Sequence, residues 1–291
     1  MLPHWLKLMK DELNVCIRPN SLILRRFKGL PGKTTCVDQQ KIVLKKTMGQ
    51  AEVESGYLAK VLKEALNVKR WQASTATIMV ANHLVRYAVI PWNPEIKTAD
   101  ESQAYLNHYF ISVYGEAVAS WNKCQSSASY GQKSLASAMP QALLQTVHDV
   151  FSPMMISFES VQPYLMHVAN QALQVIKKQN LQSACWLALI ADGRVCLCLM
   201  IEGEWCWVKN VQQETDVIAQ IAMLIQRERL MNNEIEKLIK KGRQLPMLVY
   251  WPDLPLNQRI HLPNHRVIRL ASSKLFTTDP AENQIARLIT P

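Results

Sequence analysis

The spacing of apolar residues changes several times along this 291-residue chain, and each change predicts an element. Short apolar runs at residues 13–17, 22–27 and 41–44, separated by a Pro19-Asn20 turn and a Pro31-Gly32 loop, predict three successive strands. Leu58, Val61, Leu62, Ala65 and Leu66 then recur at helical spacing, with Lys60, Lys63 and Glu64 between them, after a Glu54-Ser55-Gly56 start. Residues 75–90 are apolar and β-branched and read as one interrupted strand, stopped by Pro91-Trp92-Asn93-Pro94. Tyr105, Leu106, Tyr109, Phe110 and Val113 restore helical spacing. Residues 118–124 and 133–138 then read as a hairpin around a Ser-rich loop, residues 141–150 as a helix and 155–158 as a strand. The first half is therefore βββαβαββαβ.

A connecting helix over residues 162–177, with Leu165, Val168, Ala169, Ala172, Leu173 and Ile176 on one stripe, leads into a second run of three strands at 185–190, 195–201 and 205–211. Their turns, Ala191-Asp192-Gly193 and Glu202-Gly203, are strong hairpin signals. A long helix over 214–240, strands at 246–251 and 266–270 and a short helix at 281–288 complete the prediction. The order βββα followed by β thus occurs twice, from Leu13 and from Cys185. That repeat predicts an α/β chain of tandem ribonuclease-H-like units, the architecture of actin, sugar kinases and chaperone ATPases, divided into residues 1–160 and 161–291. A two-domain Rossmann chain would open βαβ with a glycine-rich turn, which residues 13–44 lack.

An ATPase of that architecture holds phosphate between two hairpin turns, which need an acidic residue for Mg²⁺ and a glycine for close approach of backbone N–H groups. The first turn, Arg18-Pro19-Asn20-Ser21, has neither, and its proline removes a donor; the second, Ala191-Asp192-Gly193-Arg194, has both. Asn20, Ser21, Asp192 and Gly193 are therefore the candidate nucleotide-contacting residues of a degenerate site. An adenine-side loop would fall at Trp251-Pro252-Asp253-Leu254-Pro255, which contains no glycine. No phosphate-loop, dinucleotide, esterase-elbow or zinc-protease motif occurs, so neither ATP with Mg²⁺ nor a catalytic residue is expected.

The seven cysteines are odd in number and form no C-x-x-C pair; Cys196 and Cys198 share a strand face, but no histidines follow at ligand spacing. Among the dispersed histidines, Asn82-His83 with Arg86, Tyr87 and Trp92 is the best polar–aromatic cluster, with a structural role as its ordinary reading. The net charge of +10 is uneven: residues 1–70 carry fourteen Lys and Arg against six Asp and Glu. Such a face could meet an anionic membrane, an acidic partner or nucleic acid, but Arg25, Arg26, Lys28, Lys45 and Lys46 have no interleaved aromatic platform, so nucleic acid is not expected. The apolar stretch 184–201 is broken by Asp192, Gly193 and Arg194 and reads as a hairpin, and residues 1–13 lack the core of a signal peptide, which together predict a soluble cytoplasmic chain.

The segment 75–92, the aromatic helix after Glu101 and the strands at 185–189 and 245–249 resemble the actin-like proteins of pilus and secretion machines, typified by PilM of type IV pili and the cytoplasmic domain of GspL of type II secretion. The resemblance covers most of the chain as pattern. It implies a non-catalytic adaptor peripheral to the inner membrane, docking short segments of inner-membrane partners and a motor ATPase. The degenerate turns place the chain nearer the nucleotide-free GspL type. That type continues into a transmembrane helix, and none is predicted up to Pro291, so attachment is expected through a partner or through the basic N-terminal quarter on an anionic surface. The competing readings are a divergent ATP-dependent enzyme using Asp192 and a basic nucleic-acid-binding protein.

Overall fold

The structure, a computed structural model, describes residues 10–30, 33–48, 55–154, 156–181, 184–232, 235, 245–255 and 257–271. Three strands open the chain: β1 (Lys10–Ile17), β2 (Ser21–Leu30) and β3 (Lys33–Val43), each antiparallel to the next. Helix α1 (Ser55–Leu66) follows, and the chain returns as β4 (Thr75–Val80), parallel to β1. After an inserted segment come α3 (Gln141–Phe151) and β8 (Ser157–Pro163), parallel to β4, giving the strand order β3-β2-β1-β4-β8.

The second unit repeats this. Strands β9 (Ala184–Ala191), β10 (Arg194–Ile201) and β11 (Glu204–Gln212) form an antiparallel trio, α5 (Val217–Met231) crosses over, and β12 (Met247–Tyr250) and β13 (Val267–Arg269) pair in parallel. The resulting order, β11-β10-β9-β12-β13, matches the first sheet position for position. Both are ribonuclease-H-like units.

The insertion corrects one expectation. Residues 75–90 are two strands in two sheets: a 3-10 turn at Asn82–Leu84 diverts the chain, so that β5 (Arg86–Ile90) leaves the first sheet and joins β6 (Trp121–Gln125) and β7 (Ser134–Pro140) in the order β5-β7-β6. Helix α2 (Ala99–Tyr114) covers this small sheet through Leu106 and Phe110, packed on Ala88, Ile90, Ala136 and Ala138. Its first turn is closed by a capping box, Thr98 accepting from the Glu101 N–H while Glu101 accepts from the Thr98 N–H.

Other boundaries also move. The third strand starts at Lys33 instead of residue 41, Val118 lies in a 3-10 turn ahead of β6, and β8 runs through the expected 160/161 division to Pro163, where α4 (Tyr164–Gln179) begins. The expected helix at 281–288 and most of the extension beyond Met231 lie outside the described residues.

Strand alternation sorts the core. On β9 and β10, Trp186, Ala188, Ile190, Val195, Leu197 and Leu199 face α5, packing on Val217, Ile221, Leu224 and Ile225. Their neighbours Cys185, Leu187, Leu189, Cys196 and Cys198 belong instead to the large core of the first unit, together with Cys16, Ile23 and Met79. Helix α4 joins the two units: it packs against β8 and β9, and Leu165, Val168, Ala169, Ala172 and Ile176 are buried in that same core. Each such side chain contributes roughly 1.5–3 kcal/mol for the larger aliphatics.

Candidate functional site

Cys16, Ile23 and Arg25 lie on the face of the first sheet opposite Val15 and Leu24, as the β1–β2 register dictates, and this face looks toward the second unit. Arg25 is 1% exposed, donates Nε–H to Gln39 Oε1 at 3.0 Å, and senses Tyr164 and Tyr250. The two hairpin turns meet at one end of this interface. The first is closed by the Arg18 N–H donating to Ser21 O at 2.9 Å; the second has Asp192 at φ 55° and Gly193 at φ 70°, the paired left-handed residues of a tight hairpin.

The structure joins the turns through a side chain that the sequence reading quoted only for what its turn lacked. Arg18 Nε–H donates to Asp192 Oδ1 at 2.5 Å across 174 residues of sequence, with the side chains 17% and 6% exposed. Burial raises the Asp192 carboxyl above its ordinary value, an effect the Arg18 charge opposes without cancelling; on Arg18 the carboxylate outweighs burial and holds the guanidinium up. Asp253 and Lys41 also act on Asp192, which places the loop after β12 and the edge strand β3 around the same point. Burial, with Asp192 adding to it, pushes the Cys16 thiol up to about 12, so it stays protonated.

Of the candidate residues, Asp192 makes a side-chain contact across the interface. Asn20 is exposed and its carbonyl accepts from the Leu44 N–H at 2.9 Å; Ser21 is buried at the start of β2; the Gly193 carbonyl accepts from the Gln213 N–H at 2.9 Å. The Pro19 carbonyl accepts from the Met48 N–H. In the loop after β12, Arg269 donates to the carbonyls of Trp251, Leu254 and Pro255. A magnesium-bound phosphate needs a carboxylate free of other cations and backbone N–H groups aimed at it. Here the single carboxylate of the two turns is already paired with a guanidinium that would repel a metal ion, and Pro19 has no N–H. The residues present do not fit that group.

The polar–aromatic cluster separates in space. Tyr87 donates to Asn82 Oδ1 at 2.7 Å inside the core, Arg86 lies over the rings of Tyr114 and Trp121 at 5.8 and 5.6 Å, and Trp92 is on the surface against Tyr130. Cys196 and Cys198 are buried, and among the described residues no three His, Cys, Asp or Glu side chains gather as metal ligands. The basic quarter is also partly internal: Arg25 is buried, Arg18 is half-buried, and Arg26 holds Asp11 in a two-point ion pair at 2.6 and 2.7 Å.

A second feature had no sequence signal. A groove of about 390 Å³ lies where the inserted sheet meets the first sheet, lined by Cys124 of β6, Met139 of β7, Leu144 and His148 of α3 and Phe158 and Val161 of β8. Both strands at its rim are sheet edges: β6 pairs only with β7, and β8 only with β4, among the described residues. Two edge strands thus contribute residues to a mixed apolar and amide lining that includes Asn122, Gln141 and Gln145.

Comparison with solved structures gives this arrangement its place. The cytoplasmic domain of EpsL, an inner membrane component of the type II secretion system of Vibrio cholerae, superposes with TM-score 0.52 and 9% identity over 97% of this chain and 96% of that one. A Bacteroides thetaiotaomicron protein with an actin-like ATPase fold gives 0.50 and 7%, over 88% and 87%. The chain has the actin-like ATPase fold. A PilM–PilN type IV pilus biogenesis complex is similar at TM-score 0.48 and 13% identity, over 83% and 80%. No family model and no curated protein matches the sequence. The Arg18–Asp192 pair stands between the two hairpin turns of the βββ repeats. Among the described residues no helix is long and apolar enough to cross a membrane.

Proposed function

We propose that this chain is a non-catalytic scaffold of a pilus- or secretion-type assembly, and that it docks an extended segment of an inner-membrane partner in the groove between β6 and β8. The observation that carries the reading is a groove of mixed apolar and amide lining to which two edge strands, β6 and β8, contribute residues. An added strand would satisfy the backbone groups of a rim edge, while alternate side chains would drop onto Met139, Leu144, Phe158 and Val161. The likeness of fold to EpsL, an inner membrane secretion component, is consistent with a partner at the membrane and supports a position beneath it. The paired state of Asp192 argues against the ATP-dependent enzyme. A motor ATPase as second partner and an anionic membrane surface meeting exposed Lys33, Lys41, Lys45, Lys46, Lys60 and Lys63 belong to the same proposal.

The test is a binding titration with synthetic peptides spanning the cytoplasmic segments of the inner-membrane pilus and secretion proteins of the source organism. One such peptide is expected to bind, and Phe158→Asp or Val161→Asp to weaken it roughly tenfold or more. Absence of binding by every peptide, or binding indifferent to both substitutions, rejects the groove.

A further inference from the structure

We infer that the Arg18–Asp192 ion pair is a built-in latch: the guanidinium of the first turn takes the place between the two hairpin turns that the actin-like fold gives to a phosphate, and holds the two units closed without a ligand.

In an ATPase of this fold the turns cannot touch, because phosphate and metal lie between them and bridge them through backbone donors. Here the bridge is covalently part of the chain. Arg18 leaves the first turn, contacts Asp192 Oδ1 at 2.5 Å and is 17% exposed, so the contact is made inside the interface. The backbone that carries its partner is set by the turn: Asp192 sits in the left-handed position of a hairpin whose glycine carbonyl accepts from the Gln213 N–H. Asp192 Oδ2 is buried with no hydrogen-bond partner among the described residues, so the pair is held by geometry and not by a saturated network.

The backbone around the two turns is also tied internally. Leu44 and Met48 tie the first turn's carbonyls to the end of β3 and the segment after it, and Arg269 gathers three carbonyls of the loop after β12. These bonds hold the backbone on both sides of the pair in place from within the chain. Closure, which ligand binding would drive in an enzyme, is a constant property of this protein. The inference stands independently of the groove, which is built from other elements.

The test is hydrogen exchange on the full chain and on Arg18→Gln, Asp192→Asn and the reversed pair Arg18→Asp/Asp192→Arg. Each single change is expected to raise exchange roughly 10- to 100-fold together at residues 44–48 and 213, on both sides of the interface, with β10 and α5 unchanged. The reversed pair should recover at least part of the protection, which a local packing defect would not do. Exchange that stays as in the parent at both turns, or that rises equally throughout the chain in both single variants, overturns the latch, as does a reversed pair no better protected than the singles. Thermal unfolding of the unaltered chain with millimolar Mg-ATP supplies an independent check: no shift is expected, and an upward shift lost in Asp192→Asn would mean that a nucleotide displaces Arg18 and that the cleft is a binding site.

Discussion

The hydroxyls of Tyr164, first residue of α4, and Tyr250, last residue of β12, meet at 3.2 Å in the buried interface, with their rings edge-on at 5.8 Å. Both side chains are at most 2% exposed, so this contact joins the connecting helix to β12 of the second sheet out of reach of water. Tyr250→Phe or Tyr164→Phe should cost about 0.5–1.5 kcal/mol in urea unfolding. The double substitution should cost less than the two single costs added, since both singles remove the same hydrogen bond.

Asn210 of β11 donates its amide to the carbonyls of Asn82 at 2.7 Å and Val85 at 3.2 Å, fastening the inserted sheet to the edge of the second unit exactly where the chain turns out of the first sheet. Asn210→Leu would take a donor from both carbonyls and leave the Asn82 carbonyl only the Val85 N–H, at a cost of about 1–3 kcal/mol. Hydrogen exchange should rise at β5 before it rises at β1, reporting loosening of the insertion ahead of the core.

Buried His83 and half-buried His167 both have their ring pKa lowered by burial from 6.5 to about 4, His83 with help from Arg194. Unfolded, each ring takes up a proton near pH 6.5; folded, it resists until about pH 4. The stabilisation is therefore complete above pH 6.5 and is lost as pH falls through that window, at up to about 1.4 kcal/mol per pH unit and ring. His167→Leu should flatten the acid slope of melting temperature between pH 6 and pH 4.5 by roughly half.

Gly29 ends the wide part of the β2–β3 hairpin at φ 144°, and a Cβ there would lie 2.5 Å from the Lys33 carbonyl oxygen. Backbone, not a movable side chain, blocks the space. Gly29→Ala should destabilise by about 1–3 kcal/mol and loosen the exposed edge strand first, which limited proteolysis at β3 would show.

Elements with a clean period were legible in the sequence. The two βββ runs declared themselves because their buried residues alternate or run continuously and because Asp192-Gly193 and Glu202-Gly203 supply left-handed turn pairs. Strand β3 was read short because Lys33 to Gln40 is polar on both faces of an edge, so burial imposes no alternation. β5 was merged with β4 because Ala81, Leu84 and Val85 keep the run apolar around the 3-10 turn between them, and nothing in a one-dimensional pattern says that a strand changes sheet. β8 was missed at its end because its buried face is narrow and its residues are exposed or half-buried up to Pro163.

The interface was half legible. Asp192 and Gly193 were found by the chemistry of turns, but Arg18 was weighed only against the acidic residue and glycine a phosphate would want. Its partner is 174 residues away, and pairing at that separation leaves no periodic trace. The groove is drawn from β6, β7, α3 and β8, none of which carries it alone.

The stripe of α4 is buried among residues of both units, Ile23 and Met79 on one side and Leu187 and Leu189 on the other. A fragment ending near Pro163 would bare the first face to water, and one beginning at Ala184 would bare the second. Deletion mapping is therefore the wrong tool for locating a partner on this protein: a truncated half would lose every activity by collapse or aggregation, whichever surface the partner uses. Single exposed residues, changed one at a time in the whole chain, are the instrument its architecture permits.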